Sequence, residues 1–390
     1  MTIQTGIAAA ATLDRDEVQH YSRHLLIPEV GLAGQQRLKN ARVLLVGAGG
    51  LGSPAAQYLA AAGIGTIGIV EHDTVETSNL QRQTLYTIND VGRRKLDAAA
   101  ARLAAMNPHI AIRQHHARLD AENARAIIAD YDLVIDGTDN FTTRYLVNDA
   151  CVLLGKPNVY ASVFRFEGLL SVFGLDGGPC YRCLYPEPPP PELAPSCAEG
   201  GVFGVLPGIM GTLQAAEAIK LIAGVGAPMR GRLLRMDAAS MAFSEFAVER
   251  DPECPVCGEH PSVHDLADLV QFCAGTSTPP GTGRDIPAIS PAAFEAERLG
   301  SSPPVIIDVR APGEHAILHV PGALLIPVDD IDQHVERLQP DRRTIVYCKS
   351  GVRSARAVQQ LQAHGFHDIA SLSGGVIAWA KAFATDAALY

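Results

Sequence analysis

The sequence lacks three features that would place the protein in a membrane, on nucleic acid or outside the cell. No run of 18 apolar residues is free of glycine, proline and charge, so we expect no membrane-spanning segment. Basic residues are the minority, 32 against 42 acidic ones, and the net charge of −10 argues against a nucleic-acid-binding protein. No basic residue precedes Arg15, so we expect no secretory signal and a cytoplasmic protein.

Size and composition indicate a folded protein of more than one domain. The 390 residues suggest two or three domains, and an apolar content of 47% is ordinary for a globular chain. A stretch rich in glycine, proline, threonine and serine, residues 274–290, gives the strongest boundary signal. We predict a flexible tail over 1–13, a first domain over 14–265, a linker over 266–284 and a second domain over 285–390.

A cluster of glycines near the start of the first domain predicts a phosphate-binding turn. The apolar segment Val43–Val46 predicts a buried strand, and it is followed directly by Gly47, Gly49, Gly50 and Gly52. An alanine-rich helix is predicted from Pro54, so its N-terminus would form an anion site, and Gly49 and Gly50 can adopt positive φ and place no Cβ where a phosphate would lie. The pattern G-x-G-x-x-G favours a nucleotide, although a turn that only packs helix on strand matches it too.

Polar residues that suit a nucleotide follow the next predicted strand, Thr66–Val70. Glu71 ends this strand 19 residues beyond Gly52, where an acidic side chain suits ribose hydroxyls. The segment after it carries further partners for phosphate or ribose, namely Asn79, Arg82, Gln83 and Lys95.

A third group of polar residues follows the predicted strand Leu133–Asp136. Asp139 and Asn140 would lie at the carboxyl end of this strand, where open α/β sheets bind their ligands. A carboxylate beside phosphates favours Mg²⁺. Asp139 also suits the N-cap of the helix predicted from Phe141, but together with Arg82 and Lys95 the ligand-binding interpretation is favoured.

The cysteines of the first domain predict a structural zinc site. Two C-x-x-C pairs lie about 70 residues apart, at Cys180, Cys183, Cys254 and Cys257. Four thiolates leave zinc no open position, so the metal would stabilise the fold. The alternative, two redox dithiols, lacks the strand-to-helix context of such motifs. The proline-rich segment between the pairs carries Cys197, either a plain loop cysteine or a nucleophile.

The second domain contains a cysteine placed for sulfur chemistry. Val305–Val309 and Thr344–Tyr347 predict strands, and Cys348 follows the latter, ahead of a tight loop and a helix. Loop N–H groups and the helix dipole stabilise a thiolate there, and Lys349 and Arg353 add positive charge. The spacing resembles the C-x₅-R loop of tyrosine phosphatases but is one residue shorter, which suits a sulfur atom better than a phosphate.

Taken together, these motifs resemble two known families. Residues 14–265 resemble the MoeB/ThiF/HesA adenylyltransferases, relatives of ubiquitin-activating enzymes, through Arg23, GAGGLGSP, SNLQRQ, Lys95, GTDN and the cysteine pairs. Residues 285–390 resemble a single rhodanese domain through IDVR, HVPGA, the Cys348 loop and SGGVIAW. The whole resembles MoeZ-like fusions of the two. The resemblance implies an α/β fold: a Rossmann-like ATP-binding domain with structural zinc, then an α/β rhodanese domain.

This resemblance implies a function and a set of site residues. The family adenylates the C-terminal glycine of a small ubiquitin-like sulfur carrier ending in Gly-Gly, with ATP and Mg²⁺, and then forms a thiocarboxylate. The resemblance also implies a homodimer in which Arg23 reaches the partner's site, and magnesium bound by Asp139. Cys348 would carry a persulfide supplied by a desulfurase or thiosulfate, and Cys197 matches the family's loop cysteine. The residues assigned to ATP are Gly47, Gly49, Gly50, Gly52, Glu71, Ser78, Asn79, Leu80, Gln81, Arg82, Lys95, Asp139 and Asn140.

Two other functions compete with this one. A nicotinamide-dependent Rossmann oxidoreductase would share the glycine turn and the acidic residue, but it leaves SNLQRQ, GTDN and the zinc pairs unexplained. A scaffold whose rhodanese domain only docks partners would not need an intact Cys348 loop. The pathway stays open, because the carrier can serve molybdenum cofactor, thiamine, cysteine or tRNA thiolation.

Overall fold

The computed structural model describes residues 12–188, 200–266 and 286–387. The chain divides into two compact units, one ending at Ser277 and the other beginning at Thr278. Each unit is an α/β structure with its own sheet, as expected for the fold class. Cys197 and nearly all of the predicted tail and linker lie outside the described residues.

The first unit is built on an eight-stranded sheet in which five parallel strands continue into three antiparallel ones. The strand order is β3-β2-β1-β4-β5-β6-β7-β8, so the order reverses between β1 and β4, where such sheets open a ligand crevice. The strands are β1 (Arg42–Val46), β2 (Thr66–Val70), β3 (Ala111–His115), β4 (Leu133–Asp136), β5 (Asn158–Phe164), β6 (Glu167–Phe173), β7 (Arg232–Asp237) and β8 (Ala242–Ala247).

The helices of the first unit cover this sheet. They are α1 (Arg15–His20), α2 (Ser22–Leu25), α3 (Gly31–Asn40), α4 (Gly52–Ala62), α5 (Lys95–Met106), α6 (Ala124–Ala129), α7 (Phe141–Leu154), α8 (Tyr181–Leu184) and α9 (Val205–Ala223). By length and composition α9 would suffice to cross a membrane, but 56% of its most apolar window is buried within the unit. It packs on α4 and β5, so it serves here as a core helix.

Several elements differ from those that the sequence predicts. Residues 14–23 predict one short polar helix, but the structure breaks it at Tyr21 into α1 and α2. Residues 157–173 predict two strands with a turn near Glu167, whereas the hairpin between β5 and β6 turns at Arg165, which has φ 51°. The sequence gives no signal for β8, because all its residues are exposed and no apolar alternation marks a buried face.

The second unit is a five-stranded parallel sheet in the order β11-β10-β12-β13-β9. Its strands are β9 (Ala288–Ile289), β10 (Val305–Asp308), β11 (Leu324–Leu325), β12 (Thr344–Tyr347) and β13 (Ile369–Leu372). Its helices are α10 (Pro291–Arg298), α11 (Pro312–Ile317), α12 (Ile331–His334), α13 (Val352–Ala363) and α14 (Gly375–Phe383). Apolar clusters cover both faces, so the central strand β12 is fully buried and Cys348 follows it.

Candidate functional site

A cleft of about 830 Å³ opens at the carboxyl ends of β1 and β4 in the first unit. It joins the glycine turn that follows β1 to the polar segment that follows β4. The residues assigned to ATP that line it are Gly47, Gly49, Gly50, Glu71, Arg82, Lys95, Asp139 and Asn140. The remaining ones, Gly52, Ser78, Asn79, Leu80 and Gln81, lie outside its lining.

The glycine turn is shaped by close backbone contacts. Gly47 has φ 91°, whereas Gly49 and Gly50, which are free to adopt positive φ, do not do so. A Cβ atom at Gly52, the first residue of α4, would lie 2.0 Å from the carbonyl oxygen of Gly47. Only glycine lets α4 begin this close to β1, and the positive end of the helix dipole therefore borders the cleft.

Glu71 is fixed at the end of β2 by three backbone donors. Its carboxylate accepts hydrogen bonds from the N–H groups of Ala48, His72 and Asp73 at 3.2, 2.8 and 3.0 Å. Lys95 Nζ lies 4.0 Å from Glu71 and 3.1 Å from Asp73, and its side chain is almost fully buried. The carboxylate is thus held in place beside the glycine turn and has a cation next to it.

The segment SNLQRQ lies along the other side of the glycine turn. Arg82 donates to the carbonyl oxygen of Ser78 at 3.0 Å, and its stem passes near Gly50. Asn79 accepts from the N–H of Glu76 at 3.2 Å, and Leu80 packs against the core. These contacts anchor the segment and leave Arg82 as its cation in the cleft lining.

Asp139 and Asn140 have different roles at the end of β4. The side chain of Asn140, and not that of Asp139, caps α7, accepting from the N–H of Thr143 at 2.9 Å. Asp139 is exposed in the cleft and accepts no hydrogen bond from the described residues. The capping alternative for Asp139 was therefore wrong, and its carboxylate is available to a ligand.

Arg144 is a cleft residue that the sequence analysis missed. It lies one turn into α7, and its buried guanidinium stacks over the rings of Phe141 and Tyr160, each 5.3 Å from the ring centroid. Its Nε atom has no hydrogen-bond partner among the described residues, and neither has Oδ2 of nearby Asp136, whose pKa is raised by burial. A cation four residues after Asn140 was the signal available in GTDNFTTR.

The four paired cysteines meet in one cluster. Cys180 Sγ lies 3.5 Å from Cys254 Sγ and 4.0 Å from Cys183 Sγ, and Cys183 Sγ lies 3.4 Å from Cys257 Sγ. All four sulfur atoms lie within 4.8 Å of one another. Zinc bound tetrahedrally at about 2.3 Å from each thiolate separates the sulfurs by about 3.8 Å, so the donor set and its spacing fit this metal.

A buried ion pair joins this cluster to the wall of the cleft. Arg182, between two of the cysteines, binds Asp149 of α7 through Nε and Nη2 at 2.8–3.1 Å. The neighbouring Tyr181 donates its N–H to Asn148 at 2.7 Å, and its ring lines the cleft. The cysteine pair therefore holds an aromatic wall of the cleft in place.

In the second unit, Cys348 occupies the loop between β12 and α13. Its buried Sγ accepts from the N–H of Gly351 at 3.1 Å, and the hydroxyl of Ser354 lies 3.6 Å away. The N–H of Val376, in the first turn of α14, donates to the carbonyl oxygen of Cys348 at 2.8 Å. The loop and the start of α13 thus contact the sulfur directly, and the first turn of α14 contacts the backbone of the same residue.

Arg23 lies apart from the cleft. It is an exposed residue of α2 and does not line the cleft of its own chain. Arg23 is therefore not placed to contact a ligand in the cleft of its own chain. Apolar side chains of the same region are exposed, with Leu26 71% and Leu32 55% accessible.

Comparison with family models matches both units. Residues 21–256 match the ThiF family, and residues 292–382 match the rhodanese-like domain. The chain is 46% identical over 390 residues to an adenylyltransferase/sulfurtransferase MoeZ of Mycobacterium tuberculosis, a match that covers 98% of each chain. It is 40% identical to an adenylyltransferase and sulfurtransferase MOCS3 of Danio rerio, over 95% of this chain and 86% of that one.

A shorter relative and a solved structure match the first unit's architecture. A sulfur carrier protein adenylyltransferase of Thermus thermophilus is 53% identical over 264 residues, which are 66% of this chain and 97% of that one. The crystal structure of E. coli MccB with ATP superposes with a TM-score of 0.55 at 24% identity, over 63% of this chain and 75% of that chain. These matches do not favour the oxidoreductase alternative.

Proposed function

Because the chain belongs to the ThiF family and aligns over its whole length with adenylyltransferase/sulfurtransferases, we propose that it activates a sulfur carrier and then loads it with sulfur. The carrier is a small ubiquitin-like protein with a C-terminal Gly-Gly. Its terminal carboxylate reacts with ATP to give an acyl-adenylate and pyrophosphate. A sulfur atom from Cys348 then replaces AMP, and the carrier leaves as a thiocarboxylate.

The free carboxylate of Asp139 opposite the glycine turn is the observation that carries this proposal. A helix N-terminus at the turn and the cations Arg82 and Lys95 lie around the same cleft. An NAD-binding site needs the turn and the acid of Glu71, but it has no use for a free carboxylate and two cations beside the phosphates. Adenylation uses the two cations and a metal-binding carboxylate, because negative charge builds up at the α-phosphate during attack.

Each cleft residue has a proposed task in adenylation. Glu71 binds the ribose hydroxyls, since its carboxylate is held rigidly at the end of β2. Arg82 and Lys95 offset the charge that develops on the phosphates. Asp139 would hold Mg²⁺, which neutralises phosphate charge when it is bound. Arg23 would act in the cleft of a partner subunit, and the exposed apolar side chains around it suit a homodimer interface.

Sulfur transfer is proposed to use the second unit. The Cys348 thiolate takes a sulfur atom from a donor and keeps it as a persulfide, which attacks the acyl-adenylate and displaces AMP. The product is an acyl disulfide between carrier and Cys348. Cys197 is proposed to attack Cys348 Sγ, so that the sulfur–sulfur bond to the carrier breaks, the thiocarboxylate leaves, and a Cys197–Cys348 disulfide remains for an external thiol to reduce. Zinc on the four clustered cysteines is proposed as purely structural, and the cytoplasm as the compartment.

Mass spectrometry of the carrier tests the proposal directly. The full chain is incubated with ATP, Mg²⁺, thiosulfate and a candidate carrier, and intact mass is followed. We expect the carrier to exchange one oxygen for one sulfur. No change in mass, together with no carrier-dependent pyrophosphate exchange for any Gly-Gly carrier, would overturn the proposed function.

Two variants separate the two half-reactions. Asp139→Asn should lower carrier-dependent pyrophosphate exchange by at least about 100-fold, since charge stabilisation of this kind contributes roughly 3–4 kcal/mol, and should leave thiosulfate cleavage unchanged. Cys348→Ala should do the reverse. Asp176→Asn, at an exposed position outside the cleft, is the matched control and should match the parent protein in both assays.

A further inference from the structure

The cation that closes the Cys348 loop is paired with a carboxylate from another element. Arg353, in the first turn of α13, donates from Nη1 and Nη2 to the two carboxylate oxygens of Glu314 in α11, at 2.6 and 2.8 Å. Both side chains are largely buried, at 22% and 15% exposure. The pair is bidentate and screened little by solvent, so its two charges largely cancel.

Glu314 itself is firmly ionised in this arrangement. Burial alone would raise its pKa, but the hydrogen bonds from Arg353 and from the N–H of Ala311 bring the pKa below its ordinary value. A second cation that acts on it, Arg310, is fully buried and bound to Asp308 at 2.6 Å. Arg353 therefore does not present a full positive charge at the loop, contrary to the expectation from sequence that it simply adds charge.

The charge at this loop matters because sulfane sulfur donors differ in charge. The Cys348 thiolate attacks the outer sulfur of a donor, the donor's sulfur–sulfur bond breaks, and its electron pair leaves on the departing group. With thiosulfate the departing group is sulfite and the donor enters as a dianion. With a thiol persulfide the departing group is a thiolate and the reacting end carries one negative charge. A full cation at the loop favours the dianion most, since Coulomb energy scales with charge.

We propose that Glu314 is a specificity-determining residue of the Cys348 site, which by neutralising Arg353 disfavours dianionic thiosulfate and leaves persulfides of low charge as the better sulfur donors. This inference rests on the proposed role of Cys348 as the sulfur acceptor. Glu314 does not touch the donor in this proposal and acts through the charge of Arg353.

Thiosulfate and methanethiosulfonate provide a matched pair of donors for the test. They share the attacked sulfur and nearly the same shape, but methanethiosulfonate carries one negative charge instead of two. Sulfur transfer to cyanide is measured with full-length parent protein and Glu314→Gln, which keeps the acceptor for the N–H of Ala311 and removes only the charge. We expect KM for thiosulfate to fall about tenfold and KM for methanethiosulfonate about threefold, as expected when the energy scales with donor charge.

The dependence of kcat/KM on salt concentration gives a second test, because a purely structural role of Glu314 would not change it. For Glu314→Gln, kcat/KM with thiosulfate should fall steeply as salt is added, because the exposed cation is screened, whereas the parent protein should respond weakly. The control is Glu297→Gln, which breaks the bidentate pair with Arg343 elsewhere in the same unit and should change neither donor preference nor salt response.

Failure of this inference differs from failure of the proposed function. If Glu314→Gln changes both donors by the same factor, or changes neither, Glu314 does not set donor preference and the inference falls. If the parent protein forms no persulfide on Cys348 with either donor, the proposed function itself fails in its second step. If Glu314→Gln unfolds the second unit and abolishes sulfur transfer, Glu314→Asp is measured instead. This variant keeps the negative charge, so it should keep the parent's preference between the two donors.

Discussion

Asp308 and Glu314 illustrate how single residues stabilise the second unit. Burial by itself raises the pKa of each carboxyl, but hydrogen bonds from Arg310 and His315 to Asp308, and from Arg353 to Glu314, bring both pKa values below their ordinary 3.8 and 4.5. The unfolded chain therefore binds protons at a higher pH than the folded one. These contributions are complete above the ordinary pKa values and are lost as the pH falls through the lower, folded-state values.

We predict that the second unit loses stability as the pH falls below about 4.5. The only tryptophan of the chain, Trp379, is buried in α14, so its fluorescence reports unfolding of this unit within the full protein. Urea unfolding at several pH values should give a free energy that is flat near neutrality and drops in acid, and Glu314→Gln should make the drop shallower. A free energy that rises on acidification would contradict the assigned charges.

The identity of a site residue could be predicted at this scale better than its partner. Asp139, Arg82 and Cys348 are in the sequence motifs; the first two line the cleft, and Cys348 lies in the loop after β12. The ion pair of Arg353 was not predictable, because Glu314 lies 39 residues away and only the fold brings the two together. Arg144 was missed for a similar reason, since its cleft position depends on the helix register after the Asn140 cap.

At the scale of elements, the cleft depends on how closely α4 approaches β1. The helix begins at Gly52, directly over the carbonyl oxygen of Gly47, and no larger residue fits there. The sequence predicted this strand–turn–helix unit because each of its parts has a local signal. By contrast, β7 and β8 were not predicted, since β7 forms by pairing with β6 and β8 by pairing with β7, and β8 carries no apolar periodicity of its own.

We predict that Gly52→Ala displaces α4 from the glycine turn. A Cβ atom 2.0 Å from a backbone oxygen forces movement, so unfolding free energy should fall by about 2–3 kcal/mol and ATP should bind at least about tenfold more weakly. Gly208→Ala is the matched control, because Gly208 lies in the first turn of α9 and its Cβ would meet no atom within 4 Å. That variant should bind ATP normally and gain up to about 1 kcal/mol. Equal ATP affinities for the two variants would show that the turn does not depend on this contact.

The cysteine cluster links elements that are far apart in the sequence. Cys180 and Cys254 are 74 residues apart, and their sulfur atoms lie 3.5 Å from each other. The spacing of the C-x-x-C pairs predicted this meeting without any knowledge of the intervening chain. What it could not predict is the Arg182–Asp149 pair, which joins the cluster to α7 and hence to the aromatic wall of the cleft. Loss of the metal should therefore disturb the cleft as well as the cluster.

At the scale of the whole molecule, two units with separate sheets and cores share one chain. The match to the shorter relative from Thermus covers 97% of that protein but only 66% of this chain. That relative, which is named an adenylyltransferase, therefore does not include the second unit. Joining the units raises the effective concentration of one near the other, typically to the millimolar range. Fusion of the two units should therefore increase the rate of thiocarboxylate formation without giving either unit a new activity.

We predict that Asp139→Asn and Cys348→Ala, each strongly impaired alone in thiocarboxylate formation, complement one another when mixed. The first supplies a sulfur-loaded Cys348 and the second supplies the carrier adenylate, but the two now meet by diffusion. At about 1 µM of each, the mixture should form thiocarboxylate at least about 100-fold more slowly than the parent protein, with a turnover rate that rises in proportion to concentration. The parent's turnover rate should not depend on protein concentration. A mixture with concentration-independent turnover near the parent's would contradict delivery within one chain, because sulfur would then cross between subunits of a stable assembly as readily as it passes along a single polypeptide.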